Sequence, residues 1–265
     1  MKLKNIFSIL AILLHISCST LYEKRPSWRD EFRKNGTPNK EIWTRSVTMP
    51  GQQLSVYCDN DSNAYVKDGM LHLRLFKSDD ITRPYRSGRV IANKKYWFKK
   101  GKLEVRAKAP LAKGVWPAIW LNGPKTKNGY FVELDLMEHV YAMGASRYEA
   151  SYHIWGEFRG KKGNHISYGE YAEVNVGEWH VYTLEISDDN IVMKVDNKVI
   201  YDIKRGKYGE EWPDDQEYSL RLALAYGGYG AKKHGIDDSA LPVVMLIDYV
   251  RFYEFKKNKY ANISK

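Results

Sequence analysis

The run Glu133-Leu134-Asp135-Leu136-Met137-Glu138 constrains this chain more than any other stretch. Three carboxylates are interleaved with apolar residues, in a protein whose formal net charge is +10. Glu133 and Asp135 are two residues apart, so on a β-strand they share one face while Leu134 and Leu136 take the other. Glu138 stands an odd step further on and would point to the opposite face of a regular strand. One extra residue at Leu136-Met137, absorbed as a β-bulge, returns it to the face of Glu133 and Asp135. Three acids on one side of a half-buried strand repel one another and lose hydration. A strand that keeps them needs a use for them.

The rest of the chain also reads as strands. Gly69–Leu75 alternates after an Asp-Gly turn, and Lys102–Ala109 alternates after Lys100-Gly101. Trp179–Ile186 and Ile191–Val195 flank the turn Ser187-Asp188-Asp189-Asn190, and Asp196-Asn197 turns into Lys198–Ile203. Tyr218–Ala225 and Val243–Tyr253 complete the series. Short strands between Gly, Asn, Asp and Pro punctuation, with no βαβ alternation, predict an antiparallel sandwich or barrel. No repeat, linker or composition break divides the 265 residues, so one domain is expected over residues 28–265. The positive charge suits an acidic partner such as an anionic polysaccharide or a membrane surface, or simply a lysine-rich exterior. No zinc-finger spacing, P-loop or RNA-binding aromatic signature accompanies it, which argues against nucleic acid.

The N-terminus reads as an export signal. Lys2 and Lys4 precede an apolar run, Ile6–Ile16, too short to span a bilayer. That run ends in Ser17-Cys18, which resembles the bacterial lipoprotein signal, although His15 stands where Leu is usual. Residues 1–17 are then a signal peptide, Cys18 the lipidated first residue and residues 18–27 a polar tether. The expected location is the cell envelope, on either face of the outer membrane, with plain secretion as the alternative. The second cysteine, Cys58, is expected to be a free thiol.

Around the acidic strand stand Gly114-Val115-Trp116-Pro117-Ala118-Ile119-Trp120-Leu121, Ser151-Tyr152-His153-Ile154-Trp155-Gly156, Tyr85-Arg86-Ser87-Gly88-Arg89-Val90, Gly227-Gly228-Tyr229 and Leu246–Tyr253. Together with Glu133-x-Asp135-x-x-Glu138 these resemble glycoside hydrolase family 16, in its laminarinase-like branch with the bulged strand. The resemblance covers residues 28–254. It implies a β-jelly-roll of two curved antiparallel sheets with an open concave cleft. It also implies a retaining endo-hydrolase that needs no cofactor for catalysis, with Glu133 as nucleophile, Glu138 as general acid/base and Asp135 between them. Retaining hydrolysis requires two carboxyl groups about 5–5.5 Å apart, one ionised and one protonated, and neighbouring negative charge can separate them in this way.

Trp116 and Trp120 are four apart and share a strand face, so both are candidates to stack on pyranose rings, or alternatively to fill the core. His153 could hydrogen-bond a sugar hydroxyl or Asp135, or be structural. Arg89, Tyr152 and Tyr229 are further cleft candidates, and Trp155 joins them only if its face is the concave one. Several family members bind calcium on the convex side, and the matching positions here are the Asp248 carboxylate with the carbonyls of Glu31 and Gly69.

Laminarinases typically carry Asn before Leu-Ala in the strand leading to Gly-Gly, and a Trp soon after; this chain has Ala223 and Tyr229. Tyr226, Lys232, Lys233 and His234, with the loop Glu157–Gly163, add basic and tyrosine character to the rim. The expected substrate is therefore a galactose-containing glycan with acidic decoration, or a β-glucan, cut at β-1,3 or β-1,4 linkages by a monomer. The competing class is a lectin that keeps the cleft without turnover, although such a protein is expected to lose one of the acids.

Overall fold

The computed structural model describes residues 21–47, 51, 53–140, 146–228 and 234–256. In chain order the strands are β1 (Trp28–Asp30), β2 (Trp43–Arg45), β3 (Val56–Tyr57), β4 (Ala64–Lys67), β5 (Met70–Lys77), β6 (Tyr85–Ser87), β7 (Arg89–Ala92) and β8 (Gly101–Lys108). They continue as β9 (Val115–Asn122), β10 (Tyr130–Glu138), β11 (Tyr148–Phe158), β12 (Lys161–Ala172) and β13 (His180–Ile186). The last four are β14 (Asn190–Val195), β15 (Lys198–Lys204), β16 (Ser219–Tyr226) and β17 (Val243–Tyr253). Among the described residues, helical structure is confined to short turns such as Lys94–Tyr96 and Asp238–Ala240.

Two sheets result. A seven-stranded sheet runs β12-β11-β10-β9-β16-β7-β2, antiparallel throughout. A ten-stranded sheet has the path β15-β14-β13-β8-β17-β5-β6-β3, with β1 on β17 and β4 on β5. Alternation makes this a sandwich. On β8, Leu103, Val105 and Ala107 are fully buried while Lys102, Glu104 and Arg106 face out. On β9, Ile119 and Leu121 are buried against them while Trp116, Ala118, Trp120 and Asn122 take the other face. The apolar faces of both sheets close one core, and the polar face of the seven-stranded sheet is left for the site. This is the jelly-roll arrangement that the resemblance implies.

Two segments differ from the sequence expectation. Glu157–Gly163 is not a loop: β11 runs to Phe158, Arg159-Gly160 make the turn and β12 starts at Lys161. This edge strand is largely exposed, so it carries little of the apolar alternation that marks a strand in sequence. The expected tether is docked from residue 22 onward. Tyr22 bridges and stacks on Phe255 with ring centroids 4.9 Å apart, and Glu23 and Ser27 donate backbone hydrogen bonds to Glu254 and Phe252. An aromatic ring with a partner holds the segment that its polar composition left free.

Candidate active site

The acid strand contains the bulge. Asp135 lies opposite Trp120 of β9 and Ser151 of β11, whereas Glu138 lies opposite Ala118 and Glu149. Three steps on β10 match two steps on each neighbour, so one residue is extra. Leu136 and Met137 are both fully buried, so the core receives two consecutive side chains and Glu138 returns to the cleft face.

Register then aligns the cleft floor in rows, because paired residues project to the same side. One row reads Arg89, Ala223, Ala118, Glu138, Glu149 from β7 to β11. The next reads Ile91, Arg221, Trp120, Asp135, Ser151. In a third row Asn122 donates to Glu133 Oε2 at 3.3 Å, and His153 of β11 pairs with Glu133.

The acids have distinct surroundings. Trp116 Nε1 donates to Glu138 Oε1 at 2.6 Å. An indole nitrogen can only donate, so Oε1 is an acceptor and Oε2 is the oxygen left to carry a proton. Burial, then the charge of Asp135, pushes Glu138 up to about 8, against the downward pull of Trp116. The same two causes push Glu133 up to about 7, with His153 and Asn122 among the groups opposing them. Both carboxyl groups are therefore held well above the ordinary carboxylate range.

Asp135 is buried, and its Oδ2 lies 2.8 Å from His153 Nε2. Burial alone would lower the pKa of His153, but the Asp135 hydrogen bond and the charges of Asp135, Glu133 and Glu138 outweigh it, so the net shift is upward. His153 Nδ1 is 3.1 Å from His165 Nε2. Burial and then the His153 charge lower His165, which suits it as the neutral acceptor of the second His153 proton. Trp155 lies flat on His165 with ring centroids 3.5 Å apart and also stacks on Phe131, so it does share the concave face.

Donor atoms of Glu133, Asp135 and His153 all lie within 4.8 Å of one another. Such a trio can hold a metal ion. Here the upward shift of His153 lets an imidazolium supply the positive charge between the acids.

Of the other expected cleft residues, Trp116, Trp120 and Arg89 are on the cleft floor, where Trp116 and Trp120 pack against Tyr57, Ala223 and Ala225. Tyr152 is not. It pairs with Leu134, is buried on the core face and reaches the Glu211 carbonyl. As the immediate neighbour of His153 it must project to the other side of β11. Tyr229, Lys232, Lys233 and Cys18 lie outside the described residues, while Cys58 is a half-buried free thiol. On the convex side Asp248 Oδ2 accepts from Arg106 at 2.6 Å, and both Glu31 carboxylate oxygens accept from Arg251 at 2.8 Å. A hard cation prefers six or more oxygens, so one carboxylate already engaged by a guanidinium fits calcium poorly.

Sequence reading missed Asn122, Glu149, Arg221 and His165. Asn122 continues the two-residue step of Trp116, Ala118 and Trp120, and Arg221 is a lone charge inside an apolar run, so both left a signal. Glu149 and His165 become visible only through cross-strand register. The Glu149 side chain lies over Gly169, where a Cβ would collide with it.

Comparison with known proteins agrees with this geometry. The family profile "Glycosyl hydrolases family 16" matches residues 51–251. A β-glucanase of Rhodothermus marinus is 30% identical, over 96% of this chain and 97% of its own length. A keratan-sulfate endo-1,4-β-galactosidase of Sphingobacterium multivorum is also 30% identical, over 86% of this chain and 54% of its own. A solved structure from work on endo-acting O-glycanases with which human gut bacteria initiate mucin breakdown superposes with a TM-score of 0.76. It is 28% identical over 90% of this chain and 92% of that one. With a bulged acid strand on the floor of an open jelly-roll cleft and a family match spanning most of its length, this chain belongs to glycosyl hydrolases family 16.

Proposed function

We propose that the protein is a retaining endo-β-glycosidase that cuts inside galactose-containing glycans at β-1,3 or β-1,4 linkages. Glu133 attacks the anomeric carbon while Glu138 gives its Oε2 proton to the departing glycosidic oxygen. The glycosyl-enzyme ester on Glu133 is then hydrolysed by a water that Glu138, now ionised, deprotonates. Asp135 sits between the two, and its charge raises both carboxyl groups while the His153 pair holds it in place. The observation that carries this reading is the bulge, which puts Glu133 and Glu138 on one face in different surroundings.

A galactose-containing substrate is supported by the keratan-sulfate relative and by Ala223 on the floor, where laminarinases typically have Asn. The glucanase relative favours β-glucan as a second reading. Product analysis on laminarin, mixed-linkage glucan, agarose, porphyran, keratan and mucin O-glycans separates them. The expected result is internal cleavage of a galactose-containing chain, with the new reducing end first seen by NMR as the β-anomer. An α-anomer would exclude the double displacement, and faster cutting of laminarin would exclude the galactan preference.

We also infer export as a lipoprotein through Cys18, supported by Lys2, Lys4 and the apolar run Ile6–Ile16. Partition of the wild type, but not of Cys18→Ser, into a detergent phase tests it. Among the described residues, exposed large apolar side chains such as Ile81 and Val199 stand on different segments of the chain, which supports a monomer, testable by light scattering.

A further inference from the structure

Across the floor from the acids, β7 and β16 place two guanidinium groups on the cleft face. Arg89 lies opposite Ala223 and Arg221 opposite Ile91, so the arginines occupy diagonal positions on paired strands, with Cα atoms about 7–8 Å apart. Both are half-buried. Arg89 lies over the Tyr57 ring at 4.4 Å and Arg221 over the Trp120 ring at 4.9 Å. Stacking fixes the plane of each group without consuming its N–H donors.

Among the described residues their hydrogen bonds are few. Arg89 Nη2 donates to Ser46 Oγ at 2.6 Å, and its Nε is buried without an acceptor. Among the described residues Arg221 uses Nη1 alone, toward the carbonyls of Asn122 and Ser219 at 3.2 Å. Every Asp and Glu of the chain lies among the described residues, and none forms an ion pair with either arginine. Burial, then repulsion by Arg89, lowers Arg221 to about 10 despite the pull of Glu133. Burying like charges side by side without a counter-charge is costly. Ala223 contributes only a methyl group to the floor beside them. Two stacked forks from adjacent strands, with donors to spare, suit a tetrahedral oxyanion, whose several oxygens both can share; a carboxylate would be satisfied by one fork.

We propose that Arg89 and Arg221 form an anion subsite on the cleft floor that takes a sulfate ester carried by the glycan. The inference rests on the endo-glycosidase reading above and deepens it, since it names the decoration the cleft selects. The subsite lies on the floor rather than the rim, so the sulfate must sit on a sugar bound within the cleft.

The test uses matched pairs: keratan sulfate, porphyran and sulfated mucin O-glycans, each against its desulfated form, with laminarin as a neutral reference. The expected result is a kcat/KM at least about tenfold higher on one sulfated member than on its desulfated counterpart. Raising salt from about 0.05 M to about 0.5 M should erode that preference. Arg221→Leu and Arg89→Gln should each lower the sulfated-to-desulfated ratio by about tenfold or more, and Arg221→Lys should lower it less. The inference is overturned if no sulfated member is preferred, or if the variants lose activity equally on both members, which would make the arginines partners of Glu133 instead. Should the variants fail to fold, the wild-type ratio and its salt dependence still decide. Absence of product from every chain, laminarin included, would instead sink the glycosidase reading.

Discussion

The convex face of the sandwich pairs its charges. Arg106 meets Asp248, Lys102 meets Glu104, Lys194 meets Glu185, and Arg251 grips Glu31 with two hydrogen bonds. The concave face gathers like with like: Glu133, Asp135, Glu138 and Glu149 at one side, Arg89 and Arg221 at the other. Both faces are built from antiparallel strands with the same alternation. Cross-strand pairing of opposite charges is the arrangement that stability alone would select. Among the described residues the cleft keeps one such pair, His153 with Asp135, and leaves its other charges unmatched where burial makes repulsion more expensive, which marks the surface that exists for a ligand.

This contrast can be broken at several points, and the largest effect is expected at the nucleophile. Glu133→Gln should reduce turnover on the order of 10^4-fold or more while oligosaccharide binding by calorimetry survives. Turnover close to wild type would remove Glu133 from its role. Glu138→Gln should lose about 10²–10⁴-fold on a glycan. On an aryl glycoside with a good leaving group the loss should be far smaller, because that departure needs no proton. Equal losses on both substrates would argue against a general acid.

The next effect is read from the pH profile of kcat/KM, which should be bell-shaped. Below the Glu133 value of about 7 the nucleophile takes up a proton, and above the Glu138 value of about 8 the acid loses its own. His153→Gln removes a positive charge that lowers Glu133, so the acid limb should move to higher pH. The Gln amide can still donate to Asp135, so the stability cost should stay below the about 1–3 kcal/mol of an unsatisfied buried group. Trp116→Phe removes the hydrogen bond that lowers Glu138, so here the alkaline limb should move up, with KM rising severalfold as the indole contact changes. An acid limb that stays in place in the first variant, or an alkaline limb that stays in place in the second, would show that the residue acts only through packing. The smallest effect belongs to the convex face: Arg106→Ala should cost no more than about 1 kcal/mol in chemical denaturation and leave kcat/KM unchanged. A large activity loss there would erase the distinction between the two faces.

Local periodicity made much of this molecule legible. The odd step from Asp135 to Glu138 calls for a bulge, and the structure has it at Leu136-Met137. The alternating runs located β5, β8, β13 and β17 to within a residue or two. Tyr152 and His153 are adjacent and cannot face the same way, so the strand period alone assigns Tyr152 to the core. The edge strand β12 was not legible, because its exposure erased the apolar signal.

By itself, then, the sequence determined which residues share a face within each strand, because that depends only on a period of two along the backbone. Which faces meet in one row depends on how the strands pair in three dimensions. Arg221 stands 83 positions beyond Glu138 by the numbering, yet one strand, β9, separates β16 from the acid strand. His165 reaches His153 only through the register of β11 with β12. Cross-strand alignment is set by packing of the whole sandwich, and no local period encodes it. The three acids of β10 could therefore be read from one strand, whereas the placement of Glu149 beside Glu138 and of Arg221 beside Arg89 had to be found in space.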